Sequence, residues 1–209
     1  MGLYPRMNSG NTALIVIDII NSCASERCEK PEWNVKFSKV RVMVPSLREF
    51  IQIYRRKVGG LIVFTNCVPW QRECLPENIN ELYTDLRVAY YSKDSSGFAE
   101  QFYQVISQKE EMVITKNSYD AFAGTDLEKQ LKSRGIKYLV VTGIFGDGCV
   151  LATVIGGFSR GFNFVLMKDL IETTDDEVRQ KLLAQLKDYT FPIMYGKTLT
   201  SQEFLQGWE

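Results

Sequence analysis

The sequence predicts an α/β protein, a three-layer α/β/α sandwich around a mostly parallel six-stranded sheet. Three observations carry this. Short apolar runs of strand length recur at residues 13–17, 61–65, 111–115, 137–142, 163–167 and 191–194. The clearest of them are apolar at nearly every position, as in strands covered on both faces. Helical patterns separate them, and alternating β and α segments place helices on both faces of one parallel sheet. The 209 residues, 45% hydrophobic and without a repeat or linker, make one domain over 1–209.

The first strand, 13–17, is a β-rich apolar run. A helix is expected over 36–57, because Val40, Val44, Leu47, Ile51, Tyr54 and Val58 recur at spacings of three and four. Pro45 is positioned to kink it, and Gly59 and Gly60 end it. The run Arg55, Arg56, Lys57 reads as a solvated helix end beside the C-terminal dipole. After the strand 61–65, residues 66–96 read as a long loop with short helical pieces, a place where binding sites are shaped. Residues 97–108 are expected to be helical. After the strand 111–115, Thr125 and Glu128 are a candidate capping box, and Gly135 a candidate C-terminal cap.

The strand 137–142 leads through a glycine-rich turn into a helix over 149–160, closed by Gly161. The strand 163–167 and a helix over 175–188 follow. The sixth strand, 191–194, is assigned to an edge because Pro192 lacks the ladder donor. Thr200 and Glu203 are positioned to cap a last short helix.

Composition narrows the function. Lys+Arg and Asp+Glu are 25 each, so there is neither a basic stripe for nucleic acid nor an acidic tail. The first dozen residues lack the apolar core of a signal peptide, and no apolar run is long enough for a membrane. A soluble cytoplasmic protein is expected, with a small-molecule substrate and no nucleic-acid or membrane partner. Five cysteines, an odd number, do not suggest a disulfide framework. Histidine is absent, which excludes Ser-His and Cys-His catalysis within this chain and every His-based zinc site. The spacings of Cys23 with Cys28 and of Cys67 with Cys74 are poor for a thiolate zinc site. No cofactor and no metal are expected.

Ligands of parallel sheets bind beyond the C-terminal strand ends. Asp18 follows the first strand, Lys116 ends the third, and Cys149 follows the fourth. A thiol at a helix N-terminus is expected to favour the thiolate. With Asp18 to take its proton and Lys116 to stabilise the charges, the three form a catalytic set without histidine. Trp70, Tyr119, Phe122 and Phe145 are the candidate apolar pocket beside them.

The stretches from Ala13 to Asp18 with Asn21, from Thr115 through Lys116, Asp120, Ala121 and Phe122 to Leu127, and from Gly143 through Cys149 to Thr153 resemble the isochorismatase-like cysteine hydrolases. That group includes nicotinamidases and N-carbamoylsarcosine amidohydrolases. The resemblance covers about residues 11 to 205 and rests on the motifs together, in order and spacing. It implies an Asp18, Lys116, Cys149 triad and a non-proline cis peptide between Ile144 and Phe145. It also implies an oxyanion hole from the Phe145 and Cys149 N–H groups, and a homo-oligomer, dimer or tetramer. The implied activity is hydrolysis of a small amide, ureido or imide C–N bond through a Cys149 thioester. Ester or vinyl-ether hydrolysis, and a catalytically quiet binding or scaffold role, stand as alternatives. Two departures stand out. Ile20 replaces the family's glutamine two residues after the aspartate, removing a polar contact near the base. The stretch from Thr65 to Trp70 lacks the nicotinamidase Asp-x-His metal motif.

Overall fold

The computed structural model describes residues 2–31, 35–83, 91–92 and 94–208. Six strands form one sheet: β1 (Thr12–Ile17), β2 (Leu61–Cys67), β3 (Met112–Lys116), β4 (Tyr138–Gly143), β5 (Asn163–Ile171) and β6 (Gly196–Leu199). Their order is β3-β2-β1-β4-β5-β6, and every pairing is parallel. All six residues of β1 are buried. Successive side chains point to opposite faces, so β1 feeds two cores. Leu14 and Val16 pack with Val40, Val44, Leu47 and Phe50 of α2 (Ser38–Ile53) and with Phe204 of α7 (Ser201–Gln206). Ala13, Ile15 and Ile17 pack with Leu131 of α4 (Leu127–Ser133), Val154 of α5 (Leu151–Ser159) and Leu183 of α6 (Glu177–Gln185). Each Val, Leu, Ile or Phe side chain among them contributes about 1.5–3 kcal/mol of burial, and the two cores make the expected three layers.

Pro45 lies inside α2, which continues past it to a wider, π-type turn over Tyr54–Val58 and ends at Gly59, φ 64°. Arg55 in that turn is not a solvated end. Its guanidinium donates to both Glu111 oxygens, at 2.7 and 2.8 Å, and to the Ile106 carbonyl. Gly135 closes α4 at φ 70° and Gly161 closes α5 at φ 88°. Thr200 and Glu203 form the capping box of α7. The expected 66–96 loop carries a short helix, α3 (Glu77–Leu82), and residues 84–90 and 93 lie outside the described residues. No helix among the described residues is long and apolar enough to cross a membrane.

Three expectations are corrected. Residues 97–108 are not a helix. Gly97 and Gln104 take φ of 74° and 56°, and the backbone pairs with a distant segment instead. Asn21 N–H donates to Gln101 O, Ser22 N–H to Ala99 O and Tyr103 N–H to Ile19 O, at 2.8–2.9 Å. Phe102 packs on Phe64 at 5.5 Å, so the helical spacing of apolar residues serves an irregular strip laid against the core. Residues 191–194 are not a strand either. The chain after α6 (Glu177–Gln185) continues as a π-type helical segment over Leu186–Tyr195 with Pro192 inside, and the edge strand is Gly196–Leu199. A short apolar run cannot distinguish strand from buried helix. Gly196 marks the true strand: a Cβ there would lie 2.3 Å from the Phe164 carbonyl oxygen. Finally, Thr125 and Glu128 form no capping box, because Glu128 is drawn to Lys132 and Arg160.

Candidate active site

The strand order reverses at β1, with β2 on one side and β4 on the other, and the crevice lies at their C-terminal ends. Asp18 is the first residue beyond β1 and holds a left-handed φ of 52°. Lys116 is the last residue of β3 and the register partner of Cys67 in β2. Strands lie about 4.8 Å apart, so β3 is roughly 10 Å from β1. A four-carbon side chain with an ammonium tip spans much of that gap. Cys149 sits in the π-type turn Gly146–Val150 between β4 and α5. Gly143 lets the chain leave β4 against β1: its φ is 115°, and a Cβ there would lie 2.1 Å from the Ile17 carbonyl oxygen. The next peptide, Ile144–Phe145, is cis.

These three side chains meet. Lys116 Nζ lies 2.8 Å from Asp18 Oδ2 and 3.3 Å from Cys149 Sγ, and donates to the Ser118 carbonyl at 2.9 Å. It also approaches Cys67 Sγ at 3.6 Å. Lys116 and Asp18 are 0% and 2% exposed as side chains. The other Asp18 oxygen, Oδ1, accepts from Thr65 Oγ1 at 2.6 Å, and the same hydroxyl accepts from the Asp18 N–H at 3.1 Å. The contact at Oδ2 is an ion pair without aligned hydrogen-bond geometry, which leaves lone-pair capacity on that oxygen. The Asp18 carboxylate is also near enough to the Cys149 sulfur for its charge to oppose ionisation of the thiol. Ile20, in place of glutamine, is 1% exposed and bridges to Phe102. The polar contact to the Asp18 carboxylate here comes from Thr65.

Burial alone would lower the Lys116 pKa. The charges of Asp18, Cys149 and Cys67 outweigh it and hold the ammonium well above its ordinary range. Cys149 behaves contrary to expectation. Burial pushes its thiol well up, Lys116 pulls it back, and the nearby Asp18 charge pushes it up again. The balance favours the thiol over the thiolate. Burial of the sulfur and the nearby Asp18 charge oppose the thiolate bias expected of a helix end. A regular helix N-terminus is also missing, since Gly148 adopts φ −125°, ψ −106° inside the turn.

The turn is held by residues that periodicity and motif did not reveal. Asp147 accepts from Arg179 Nε and Nη2, at 2.7 and 2.8 Å, and from Thr173 Oγ1 at 2.6 Å. Burial pushes the Asp147 carboxyl up, but these donors outweigh it and hold it below the usual carboxylate range. The Arg179 guanidinium also lies over the Phe145 ring at 4.8 Å. A bidentate pair two residues from the sulfur fixes the turn in place.

A cavity of about 600 Å³ opens over Asp18 and Cys149, with Lys116 buried behind them. Trp70, Tyr119, Ile144 and Phe145 line it. Phe122 does not. It is 4% exposed in the opposite core, stacked on Phe162 at 5.5 Å and beneath Arg160. Its motif position made it a neighbour of the site in sequence, but the side chain turns to the other face of the sheet. The end of β2 and the residue after it offer Asn66, Cys67 and Val68. Among the described residues, no group of three or more His, Cys, Asp or Glu is arranged to hold a metal, so the residues present do not fit a metal centre of the Asp-x-His type.

Residues 12–198 match the family model described as the isochorismatase domain. The chain is 33% identical over 204 residues to YwoC, an uncharacterised isochorismatase family protein of Bacillus subtilis strain 168, with 93% of each chain covered. It superposes on a cysteine hydrolase from Pseudomonas syringae pv. phaseolicola with a TM-score of 0.79 and 16% identity, covering 99% of this chain and 96% of that one. An N-carbamoylsarcosine amidase from Thermoplasma acidophilum matches with a TM-score of 0.67 and 22% identity, over 91% and 96%. Sheet order and the matched span therefore agree, and the chain belongs to the isochorismatase family.

Proposed function

We propose that this family hydrolase cleaves a small-molecule C–N bond, in an amide, ureide or imide, through a thioester on Cys149. The observation that carries the proposal is the meeting of an ammonium, a carboxylate and a thiol at one site, with Lys116 Nζ 2.8 Å from Asp18 and 3.3 Å from Cys149 Sγ. The amidase among the fold neighbours supports the bond type.

Because burial favours the protonated sulfur, attack and proton transfer belong to one event. Asp18 takes the thiol proton as Sγ bonds to the carbonyl carbon, and the C=O π pair moves onto oxygen. The N–H groups of Phe145 and Cys149 are the proposed oxyanion donors, and each such donor is worth about 10²–10³ in kcat. Collapse of the tetrahedral species expels the amine, which takes the proton back from Asp18. Water, deprotonated by Asp18, then cleaves the thioester and frees the thiol. Lys116 offsets the negative charge that passes between carboxylate, sulfur and oxygen at every stage. The substrate is a small molecule, and the assembly is a homo-oligomer, dimer or tetramer. Exposed Phe158, Val178 and Ile193 provide apolar surface for it.

The test is a screen of primary amides, ureides and imides for ammonia release, followed by acid quench and mass spectrometry. An acyl adduct on Cys149 is expected, and Cys149→Ala should abolish turnover. Undiminished turnover by that variant refutes the thioester route.

A further inference from the structure

Three features of the cavity go beyond the reaction type. The first is size. About 600 Å³ corresponds to on the order of twenty water volumes at about 30 Å³ each. A urea-sized substrate fills only a corner of it. The second is the wall nearest the catalytic lysine. Tyr119 follows Ser118, whose carbonyl accepts from Lys116 Nζ. The Tyr119 ring stacks on Trp70 with centroids 6.1 Å apart and planes 26° apart. The one polar atom of the indole is already used, since Nε1–H donates to Tyr83 Oη at 2.9 Å. What this wall offers a ligand is chiefly aromatic face, with the Tyr119 hydroxyl, 3.5 Å from Tyr83 Oη, beside it. A second stacked pair, Phe37 with Phe145 at 5.8 Å and 24°, also lines the cavity.

The third feature is charge. Asp18 is paired with Lys116, Arg179 with Asp147 and Glu29 with Arg41. Among the described residues, the four other charged residues lining the cavity, Arg27, Lys30, Asp94 and Glu100, are two of each sign. Asp94 is itself occupied by Ser96 and the Ala99 N–H. A ligand bringing a fixed charge gains no complementary field and loses its hydration.

We infer that the acyl half of the substrate is a flat, uncharged group of about two-ring size, laid against the Trp70–Tyr119 wall with its carbonyl at Cys149. The inference rests on the hydrolase reading given above for the orientation of the carbonyl, and on the cavity alone for the group it takes.

The test separates binding from chemistry. Full-length Cys149→Ser protein is titrated by calorimetry with 2-naphthamide, benzamide, acetamide and 6-carboxy-2-naphthamide. The second ring should tighten binding roughly ten-fold over benzamide, from some 60 Å² of extra apolar burial at about 25 cal/mol/Å². Acetamide should give no heat at millimolar concentration, and the added carboxylate should weaken naphthamide binding at least ten-fold. Trp70→Ala should raise the naphthamide Kd roughly ten-fold and Trp70→Phe should restore most of the loss, with circular dichroism checking the fold of both. Naphthamide binding no tighter than benzamide, or the carboxylate binding tighter than either, overturns the inference. Wild-type turnover is read separately. Naphthamide bound but never cleaved by the wild type refutes the thioester mechanism and leaves the ligand class standing. Acetamide cleaved while naphthamide fails to bind refutes the ligand class and leaves the mechanism.

Discussion

Thr65→Val should cripple the site while keeping its shape. Valine matches threonine in volume and branching but has no oxygen. In the native protein that oxygen does two things at once: it donates to Asp18 Oδ1 at 2.6 Å and accepts from the Asp18 N–H at 3.1 Å. Thr65 is 0% exposed, so water does not replace it readily. A hydrogen bond to a charged group is worth about 1.5–3 kcal/mol, and an orphaned buried N–H costs about 1–3 kcal/mol. The two losses overlap, and a total near 3 kcal/mol is expected in the unfolding free energy, read by urea denaturation. Thr65→Ser keeps the oxygen and loses one methyl, for about 1 kcal/mol. Asp18 sits at φ 52°, and this hydroxyl bonds both its backbone and its carboxylate. Kinetically, kcat/KM for ammonia release should fall about 100-fold with valine, the equivalent of about 2.7 kcal/mol, and within ten-fold with serine. If valine destabilises no more than serine, the two-bond reading is wrong. If valine destabilises but leaves kcat/KM intact, Thr65 holds the fold and not the base.

Lys116→Met keeps length and volume but leaves the buried Asp18 carboxylate unpaired, and should cost about 3–5 kcal/mol in urea denaturation along with all turnover. Equal stability of this variant and the wild type would mean that the pair is energetically idle. Alkylation of Cys149 by iodoacetamide in the free enzyme should keep accelerating above pH 9, past the usual thiol pKa of about 8.5, because burial holds the proton on sulfur. A plateau below pH 8 in mass-spectrometric labelling contradicts the concerted proton transfer. Asp147 has a lowered pKa in the fold, so its contribution is present above the unfolded value of about 3.9 and fades as pH falls through the folded value. Asp147→Asn should therefore cost about 2 kcal/mol at pH 7, allowing for the partly exposed Arg179, and the difference should shrink below about pH 4. A gap that grows on acidification refutes the assignment.

The legible part of this protein is the part written locally. Continuous apolar runs announced the buried strands, since β1 and β4 are covered on both faces. Asp18, Lys116 and Cys149 were legible because strand ends of a parallel sheet converge, whatever lies between them in sequence. Thr65, Asp147, Thr173 and Arg179 were not. Their roles are hydrogen bonds across 26 to 47 residues, and no periodicity encodes such a contact. A threonine at the end of β2, beside the strand that presents Asp18, was the one available hint. Residues 97–108 deceived because helical spacing also suits a chain lying in an irregular groove. The protonation of Cys149 was out of reach for a related reason. Position relative to a helix can be read from sequence, but dryness and the distance to a carboxylate cannot.

β3 has a neighbour on one side only, and it carries Lys116 at its tip. Edge strands open more readily than central ones. Each brief detachment of this strand's end would draw the ammonium out and leave the buried Asp18 carboxylate without its partner, while the rest of the sheet stays zipped. Loss of catalytic competence on warming is then a local event that precedes global melting. Hardening this catalyst is a matter of the outward-facing positions of β3, where Val113 is 43% exposed and Thr115 reaches Asn66 of the adjacent strand at 2.7 Å. Improvements to the closed centre of the sheet would raise the melting point and leave the lifetime of activity where it was.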